Sequence, residues 1–261
     1  MSLTIAMIGQ KGLPARSGGI ERHVALVSAG LVRRGYRVVV YGRRWYVGDG
    51  KAPDGVEQRF TRGIRTKHLD AITHSISALW DARAVRPDII HIQGSSVALL
   101  ARLARILHPR AKLVVTFHCR DAEHTKWNRL AKFFLRLGES LACYIPHRTI
   151  TVSQVLLRDC LERFGCQAVY ISHPFELMPV PTDHVLKEHE LTSEKYFLFV
   201  GRLIPHKQAH MLVKAYARAR EQHPELFKDI PLVIVGGGAW TDDYVKWLYR
   251  LGASVPGVRF L

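Results

Sequence analysis

The sequence contains few cysteines and no long uncharged apolar run. Four cysteines occur among 261 residues, and none forms a Cys-x-x-Cys pair. This usage is typical of reduced thiols in a cytoplasmic protein and argues against a secreted disulfide scaffold. No uncharged apolar stretch reaches 18 residues, so we expect no membrane-spanning helix. A basic start followed by an apolar segment is also missing, and we expect no signal peptide.

Acidic residues are scarce in the first two-thirds of the chain. Residues 1–172 contain 27 Lys and Arg against 12 Asp and Glu, whereas residues 173–261 contain 11 against 10. The net charge of +16 therefore belongs almost wholly to the first part. A basic face favours anionic lipid, nucleic acid or phosphorylated ligands, but a compositional bias toward arginine would give the same excess without any partner.

Short apolar runs alternate with helical patterns along residues 1–172. Helical spacing is clear over Ile20–Arg34, for example, between two apolar runs. Alternating strands and helices predict a parallel, doubly wound sheet. The predicted strands are Leu3–Ile8, Tyr36–Tyr41, Asp88–Gln93, Lys112–His118, Arg148–Val152 and Gln167–Ile171.

Residues 173–194 contain several prolines and no period, and they predict a linker. Alternation resumes with predicted strands at Tyr196–Val200 and Pro231–Val235. We therefore predict an α/β protein with two Rossmann-like domains, residues 1–172 and residues 195–261. The second domain is expected to be incomplete, because only two full strands and the start of a third are visible.

Three glycine loops follow predicted strands and indicate anion sites. Gly18 and Gly19 open a helix, where free backbone N–H groups attract anions. Gly201 is followed at once by Arg202, with Lys207 five residues later; Gly236, Gly237 and Gly238 follow the next strand. Ligands of open parallel sheets bind outside the carboxyl ends of the strands, so each loop would face such a crevice. The alternative is that these are ordinary turns with surface cations.

His118 ends a predicted strand, and its side chain is expected to point into the crevice. There it could hydrogen-bond a sugar hydroxyl or act as an acid or base, although a single histidine is more often structural. No Ser-His-Asp pattern and no metal-ligand spacing stands out among the 14 histidines.

The segment from Lys126 to Leu137 predicts a basic amphipathic helix. Its cations recur at three- and four-residue steps, and an apolar face runs beside them. Helices of this type lie on anionic membranes, while the alternative is a helix packed on the sheet. The candidate membrane-contacting residues are Lys126, Trp127, Arg129, Lys132 and Arg136.

Together these motifs resemble the GT-B glycosyltransferases, specifically family 4. Gly18-Gly-Ile-Glu-Arg-His-Val24 is similar to the amino-terminal signature of that family, and Val200-Gly-Arg-Leu-Ile-Pro-His-Lys207 to its donor-diphosphate motif. Val235-Gly-Gly-Gly238 is similar to the next signature. The Gly-Leu-Pro-Ala stretch before Gly18 and the Lys126-Trp127 pair resemble a bacterial rhamnosyl/glucosyltransferase-like N-terminal domain.

The resemblance implies transfer of a sugar, with retention of configuration, from a nucleotide-diphosphate donor to a glycan or polyprenyl-linked acceptor in cell-surface polysaccharide synthesis. Arg202 and Lys207 would bind the donor diphosphate, Gly18 and Gly19 would cap phosphate, and His118 would orient the donor sugar. The resemblance implies no metal and no cofactor. An enzyme acting on a lipid-linked acceptor would be cytoplasmic and peripheral on the inner face of the membrane.

The chain departs from the family pattern at three places. It ends before the Glu-x7-Glu motif of the family, so we expect a C-terminally truncated member. Whether such a member catalyses transfer is left open by the sequence. His173-Pro174 replaces the usual Asn-Gly, and Cys119 replaces the usual glycine after the strand-end histidine.

Three rival hypotheses stay open. The first is an inactive or split fragment that acts as a binding module or half-enzyme. The second is an NADP-dependent dehydrogenase with Arg43-Arg44 on the 2′-phosphate, which the absence of Gly-x-Gly-x-x-Gly disfavours. The third is nucleic-acid binding by the basic part of the chain, whereas our main hypothesis includes no nucleic acid.

Overall fold

A sheet of seven parallel strands forms the centre of the first part of the chain. The computed structural model describes residues 2–66, 69–123, 127–177, 184–238 and 241–261. The chain divides into two compact units, Met1–Glu176 and Leu177–Leu261. The strands of the first unit are β1 (Thr4–Ile8), β2 (Arg37–Gly42), β3 (Val56–Phe60), β4 (Ile89–Gln93), β5 (Lys112–Phe117), β6 (Arg148–Thr151) and β7 (Val169–Tyr170).

The strand order is β3-β2-β1-β4-β5-β6-β7, so the winding direction reverses between β1 and β4. Ala6 pairs with Val39 on one side and with Ile90 on the other, which places β1 in the middle of the sheet. The first helices are α1 (Gly19–Arg33), α2 (Arg44–Val47), α3 (Asp70–Val85), α4 (Ala101–Leu107), α5 (Arg129–Tyr144) and α6 (Gln154–Phe164). This arrangement confirms the predicted doubly wound sheet.

Strand β3 has no counterpart among the predicted strands. Its sequence, Val-Glu-Gln-Arg-Phe, is not a continuous apolar run, and its residues are only partly buried. It pairs with β2 alone, at the edge of the sheet. An edge strand tolerates polar side chains because it is not covered on all sides, and so the apolar pattern that marks the central strands is missing.

The second unit contains a three-stranded parallel sheet in the order β10-β9-β8. Its strands are β8 (Phe197–Val200), β9 (Leu232–Val235) and β10 (Val258–Phe260). Its helices are α7 (His184–Glu188), α8 (Ala209–Gln222), α9 (Pro224–Phe227) and α10 (Asp242–Ala253). Val213 and Tyr216 of α8 and Leu248 of α10 are buried with β9 in one apolar core.

The boundaries differ in detail from those expected. Residues 173–176 of the predicted linker belong to the first unit, and residues 177–194, including α7, to the second. Helix α5 begins at Arg129, because the side chain of Asn128 accepts a hydrogen bond from the backbone N–H of Ala131 at 2.8 Å and caps the helix. Lys126 lies outside the described residues. Within the described ranges, none of the helices has the length and apolarity that crossing a membrane requires.

Candidate functional site

His118 and Gln93 meet at the carboxyl edge of the first sheet. Gln93 is the last residue of β4, and His118 follows the last residue of the neighbouring β5. Nε2 of His118 lies 3.0 Å from Oε1 of Gln93. Since that oxygen only accepts, Nε2 carries the proton and Nδ1 of His118 is left as an acceptor. The structure thus places His118 at the predicted edge, while its role stays a prediction.

The rings of two further histidines contact that of His118. His23 comes from α1, and its ring centroid lies 5.0 Å from those of both His118 and His173 in edge-to-face geometry. His118 and His173 stack with centroids 5.5 Å apart. Nδ1 of His23 lies 3.0 Å from Nδ1 of His173, so one ring donates and the other accepts. The pair therefore holds a single proton between its two nitrogens.

Desolvation favours the neutral forms of His118 and His23. Desolvation, followed by the neighbouring histidines, lowers the pKa of His118 to about 3. Desolvation and His173 lower the pKa of His23 to about 4. His91 on β4 donates to or accepts from Oγ1 of Thr116 at 2.7 Å, and burial lowers its pKa to about 4. A neutral His118 is suited to hydrogen bonding with a hydroxyl and is a poor general acid at neutral pH.

Several polar atoms at this edge are buried without a protein partner. Among the residues that the structure describes, Oε1 of Gln10, Nε2 of Gln93 and Nδ1 of His118 form no hydrogen bond. Buried polar atoms are nearly always paired, so each unpaired atom calls for an explanation. Gln93 and His118 are in contact after β4 and β5, and their two unpaired atoms indicate a site for polar ligand groups; Gln10, after β1, adds a further unpaired atom at the same edge of the sheet.

The first glycine loop is fixed from both sides. Oε1 of Glu21 accepts from the backbone N–H of Lys11 at 3.1 Å, and a Cβ on Gly18 would lie only 2.2 Å from the other carboxylate oxygen. The hydroxyl of Tyr46 accepts from the backbone N–H groups of Arg16 and Ser17 at 2.9 and 2.8 Å. The loop is therefore preorganised, and Gly18 has a φ of 100°, which residues with a side chain rarely adopt.

The space above the start of α1 is open. A Cβ built on Gly19 meets no atom within 4 Å. The exposed N-terminus of this 15-residue helix therefore offers N–H groups to an approaching anion, which suits the predicted phosphate-capping role without testing it.

The second and third glycine loops lie side by side in the second unit. The backbone N–H of Gly201 donates to Val235 at 3.0 Å, and that of Leu203 donates to Gly237 at 2.9 Å. Gly236 has φ of 148°, and a Cβ on it would lie 1.9 Å from the carbonyl oxygen of Gly201. These bonds extend the β8–β9 pairing past the strand ends, so the two loops form one surface at the carboxyl edge.

Arg202 lies in the second glycine loop and Lys207 follows it five residues later; both are exposed. Lys207 ends a 3-10 turn, Pro205–Lys207, just before α8 begins. In the described part of the chain, neither cation forms an ion pair with a carboxylate. The structure thus brings together the loops and the cations that the sequence pattern predicted for a diphosphate.

Helix α5 turns an apolar surface toward solvent. Leu135, Gly138, Glu139 and Ala142 form its buried side. Four other apolar side chains remain well exposed: Leu130 at 65%, Phe133 at 61%, Phe134 at 47% and Leu137 at 41%. The helix therefore packs on the first unit through this buried side, as the alternative predicted, while its aromatic residues stay uncovered. Contact with a membrane stays a prediction.

Within the ranges described, no group of three His, Cys, Asp or Glu side chains is placed to hold a metal ion. Sequence reasoning missed His23, His173, Gln10 and Gln93. They are too far apart along the chain for any local spacing to connect them. His173 was visible only as a departure from a family motif.

Parallel α/β units with glycine loops at the carboxyl ends of their strands define the GT-B class of fold that the resemblance implied. Residues 17–175 match the model of Glycosyltransferase Family 4, and residues 183–256 match that of Glycosyl transferases group 1. The first match covers more than half of the sequence, and the chain belongs to Glycosyltransferase Family 4.

Three known proteins illustrate the similarity. The chain is 28% identical over 238 residues to O-antigen chain mannosyltransferase C of Escherichia coli, covering 86% of this chain and 58% of that protein. It is 24% identical over 273 residues to spore coat protein SA of Bacillus subtilis (strain 168), covering 96% and 66%. The catalytic domain of starch synthase IV from Arabidopsis thaliana, bound to ADP and acarbose, has a TM-score of 0.70 at 16% identity, covering 100% of this chain and 74% of that chain. The chain thus spans less than two-thirds of the length of both curated relatives.

Proposed function

We propose that this protein is a retaining glycosyltransferase, or the greater part of one, that moves a sugar from a nucleotide-diphosphate donor to a glycan or lipid-linked acceptor. The observation that carries the proposal is the joined pair of glycine loops with Arg202 and Lys207 beside them. Planar guanidinium and compact ammonium groups are the side chains that bind phosphate oxygens best.

The proposed chemistry at the second unit is electrostatic. Arg202 and Lys207 stabilise the charge that grows on the diphosphate as it leaves the sugar. Exposed backbone at Gly237, where a Cβ would meet no atom within 4 Å, lets phosphate approach the chain closely. The starch synthase structure that shares this fold holds ADP, which supports a nucleotide diphosphate as the ligand class.

In the first unit, we assign recognition of the donor sugar to uncharged side chains. Nδ1 of His118 accepts a hydrogen bond from a sugar hydroxyl, while Gln93 fixes the ring through Nε2. Gly18 and Gly19 cap a phosphate at the start of α1. Retention of configuration and independence from metal and cofactor rest on the family resemblance, and anomeric analysis of the product by NMR tests retention.

The acceptor is proposed to belong to a cell-surface polysaccharide. One relative is named as an O-antigen chain mannosyltransferase, which supports this class of product. A lipid-linked acceptor would bring the protein to the inner face of the membrane, and the basic, apolar exposed side of α5 supports a peripheral contact there.

Calorimetry with UDP and GDP tests the donor site. Arg202→Ala combined with Lys207→Ala removes two charge-assisted contacts, which should cost on the order of 3 kcal/mol and weaken binding more than 100-fold. Lys214→Ala combined with Arg218→Ala is the matched control, because these exposed cations lie on α8 away from the loops.

Equal affinity of wild type and the Arg202/Lys207 variant would contradict the donor site. Nucleotide binding without any transfer to a range of acceptors would instead favour the alternative of a binding module or half-enzyme. Equal loss in the control pair would show that net charge alone, and not the loop, attracts the nucleotide.

A further inference from the structure

A cleft of about 490 Å³ opens where β2 and β3 end. Arg43 and Arg44 follow β2, and Phe60 ends β3, so the cleft lies on the same carboxyl edge as the His118 cluster. Its volume falls in the range of small-molecule sites. Nothing in the donor assignment uses these residues.

The floor of the cleft is structural. Arg43 is 4% exposed, and its Nε lies 3.2 Å from Oδ2 of Asp70. Burial lowers the pKa of Arg43, with Asp70 opposing that effect. Behind it, His74 is fully buried and its Nε2 lies 3.2 Å from the carbonyl oxygen of Gly42. Arg43 is therefore committed to Asp70, which also argues against its use on a ribose phosphate.

The rim carries cations that lie over aromatic rings. The guanidinium carbon of Arg44 lies 4.9 Å from the ring centroid of Phe60, and that of Arg65 lies 4.7 Å from the ring centroid of Trp45. A ring of this kind attracts the cation to its face, while the N–H groups of the guanidinium remain its hydrogen-bond donors.

No carboxylate neutralises these cations. Among the described residues, Arg44, Arg62 and Arg65 form no ion pair, and all three are exposed. The side chain of Trp45 is 42% exposed, and that of Phe60 is 37% exposed. Exposed aromatic rings among unpaired arginines are costly to leave bare and point to an anionic ligand with apolar faces.

The cleft continues into a second hollow. Thr61 and Arg62 line both, and the second hollow, of about 450 Å³, is bounded by Trp80. Trp80 is 62% exposed, and the guanidinium carbon of Arg83 lies 4.7 Å from its ring centroid. A ring with a cation over it therefore recurs beside the second hollow, whose lining also includes Asp81, paired with Arg59. The two adjoining hollows suit an extended ligand.

We propose that this Arg–Trp cleft binds an acidic saccharide, which is the acceptor chain of the proposed transfer. Arg44, Trp45, Phe60 and Arg62 line the cleft, Arg65 lies over the ring of Trp45, and Trp80 lines the second hollow. Sugar rings lie on the indole faces, and their carboxylate or phosphate groups bind the arginine edges. The identification as acceptor rests on the proposed function, whereas the binding itself does not.

The loop of residues 10–18 connects the cleft to the His118 cluster. The backbone N–H of Arg43 donates to the carbonyl of Lys11 at 2.7 Å, and the N–H of Lys11 donates to Glu21 on α1, the helix that carries His23. An occupant of the cleft thus lies along the same sheet edge as the sugar-recognition groups. This placement favours a saccharide over nucleic acid, which also binds to aromatic and basic grooves.

Binding is measured by calorimetry on the full chain with a hexamer of galacturonic acid, with neutral maltohexaose, and with a single-stranded DNA hexamer. We expect the acidic hexamer to bind and maltohexaose to bind at least about tenfold more weakly. Arg62→Gln combined with Arg65→Gln should weaken the acidic hexamer at least about tenfold, since two charge-assisted contacts are lost. Arg33→Gln combined with Arg34→Gln removes the same charge from the exposed end of α1 and should change binding less than twofold.

Trp45→Phe provides a second readout, because quenching of Trp45 fluorescence by the acidic hexamer should disappear in that variant. Equal weakening by the Arg33/Arg34 control, equal binding of maltohexaose, or tighter binding of the DNA would overturn the proposal. UDP affinity should be unchanged in the Arg62/Arg65 variant. If the protein bound the acidic hexamer but not UDP, the donor site would be refuted and the saccharide-binding cleft would still be supported.

Discussion

The two units place polar chemistry at the carboxyl ends of their strands in opposite ways. In the first unit, the edge carries histidines that desolvation keeps neutral, such as half-buried His118 and buried His91. In the second unit, the edge carries exposed Arg202 and Lys207 on glycine loops. The strands differ too, because β1 and β2 are almost wholly buried, whereas Leu198 and Val200 of β8 are 52% and 71% exposed.

This difference teaches how one type of architecture serves two kinds of recognition. A desolvated imidazole loses its charge but keeps directional hydrogen bonds, which suits the hydroxyl groups of a sugar. A solvated guanidinium or ammonium keeps its charge, which suits phosphate. The first unit should therefore respond to pH, and the second to salt and to changes in its backbone.

The largest expected effect comes from adding a side chain to a glycine loop of the second unit. Gly236→Ala would set a Cβ 1.9 Å from the carbonyl oxygen of Gly201 at a φ that side chains rarely adopt. Overpacking and backbone strain together should lower the free energy of unfolding of this unit by about 4 kcal/mol. Hydrogen–deuterium exchange of β8 and β9 measures it, with β1 and β4 of the first unit expected to stay unchanged.

Gly237→Ala is the matched control for this prediction. A Cβ at Gly237 meets no atom within 4 Å, so this neighbouring substitution should cost less than about 1 kcal/mol. If both variants showed the same exchange in β8 and β9, the proposed close approach of the two glycine loops would be wrong.

The next effect is a loss of stability of the first unit in mild acid. Burial lowers the pKa of both His74 and His91 to about 4, so the native state resists protonation that the unfolded chain accepts near pH 6.5. Their contribution to stability is therefore complete above pH 6.5 and is lost as the pH falls toward 4. Each should remove about 1.4 kcal/mol per pH unit in that window.

Urea unfolding between pH 7.5 and 4.5, with exchange in β1 and β4 as the probe, measures this slope. His74→Gln should flatten it, whereas His223→Gln, at an exposed position of the second unit, should not. A first unit whose stability did not change between pH 6.5 and 5 would contradict the neutral, buried state of these histidines.

The central strands were predictable because each is a short apolar run buried on both faces. Strand β1 is such a run, and the periodicity of α1 beside it is equally plain. Strand β3 was not predictable in this way, since an edge strand with three consecutive polar residues carries no apolar signal. Helix α7 was not predicted and falls within the predicted linker, because the helical period of a five-residue helix is too short to recognise in a sequence.

The candidate site was predictable where chemistry follows a strand end directly. Gly201, Arg202 and His118 all lie within two residues of a strand, so topology alone places them. His23 and His173 are 150 residues apart and meet only through the tertiary fold. Their contact depends on where the segment after β7 runs, which no local pattern encodes.

The smallest expected effect concerns the side of the first unit that faces solvent at α5. Arg129 and Arg136 flank its exposed apolar residues, and each cation near an anionic leaflet contributes about 1 kcal/mol. Arg129→Gln combined with Arg136→Gln should therefore weaken binding to phosphatidylserine-containing vesicles by about 2 kcal/mol, or roughly 30-fold. Co-sedimentation at low and high salt measures it, since screening at 1 M salt should remove most of the attraction.

Arg33→Gln combined with Arg34→Gln is again the control, because it removes the same charge far from α5 in sequence and leaves the apolar side intact. A loss confined to the α5 variant would distinguish a docking helix from the general basic field of the first unit. If both variants lost binding equally, the +15 excess of residues 1–172 would act as a diffuse field and α5 would have no special role in binding.

Phe133→Ser tests the apolar half of the same contact. Vesicle binding that survives high salt in the wild type should fall in this variant, because that fraction depends on burying the ring and not on charge.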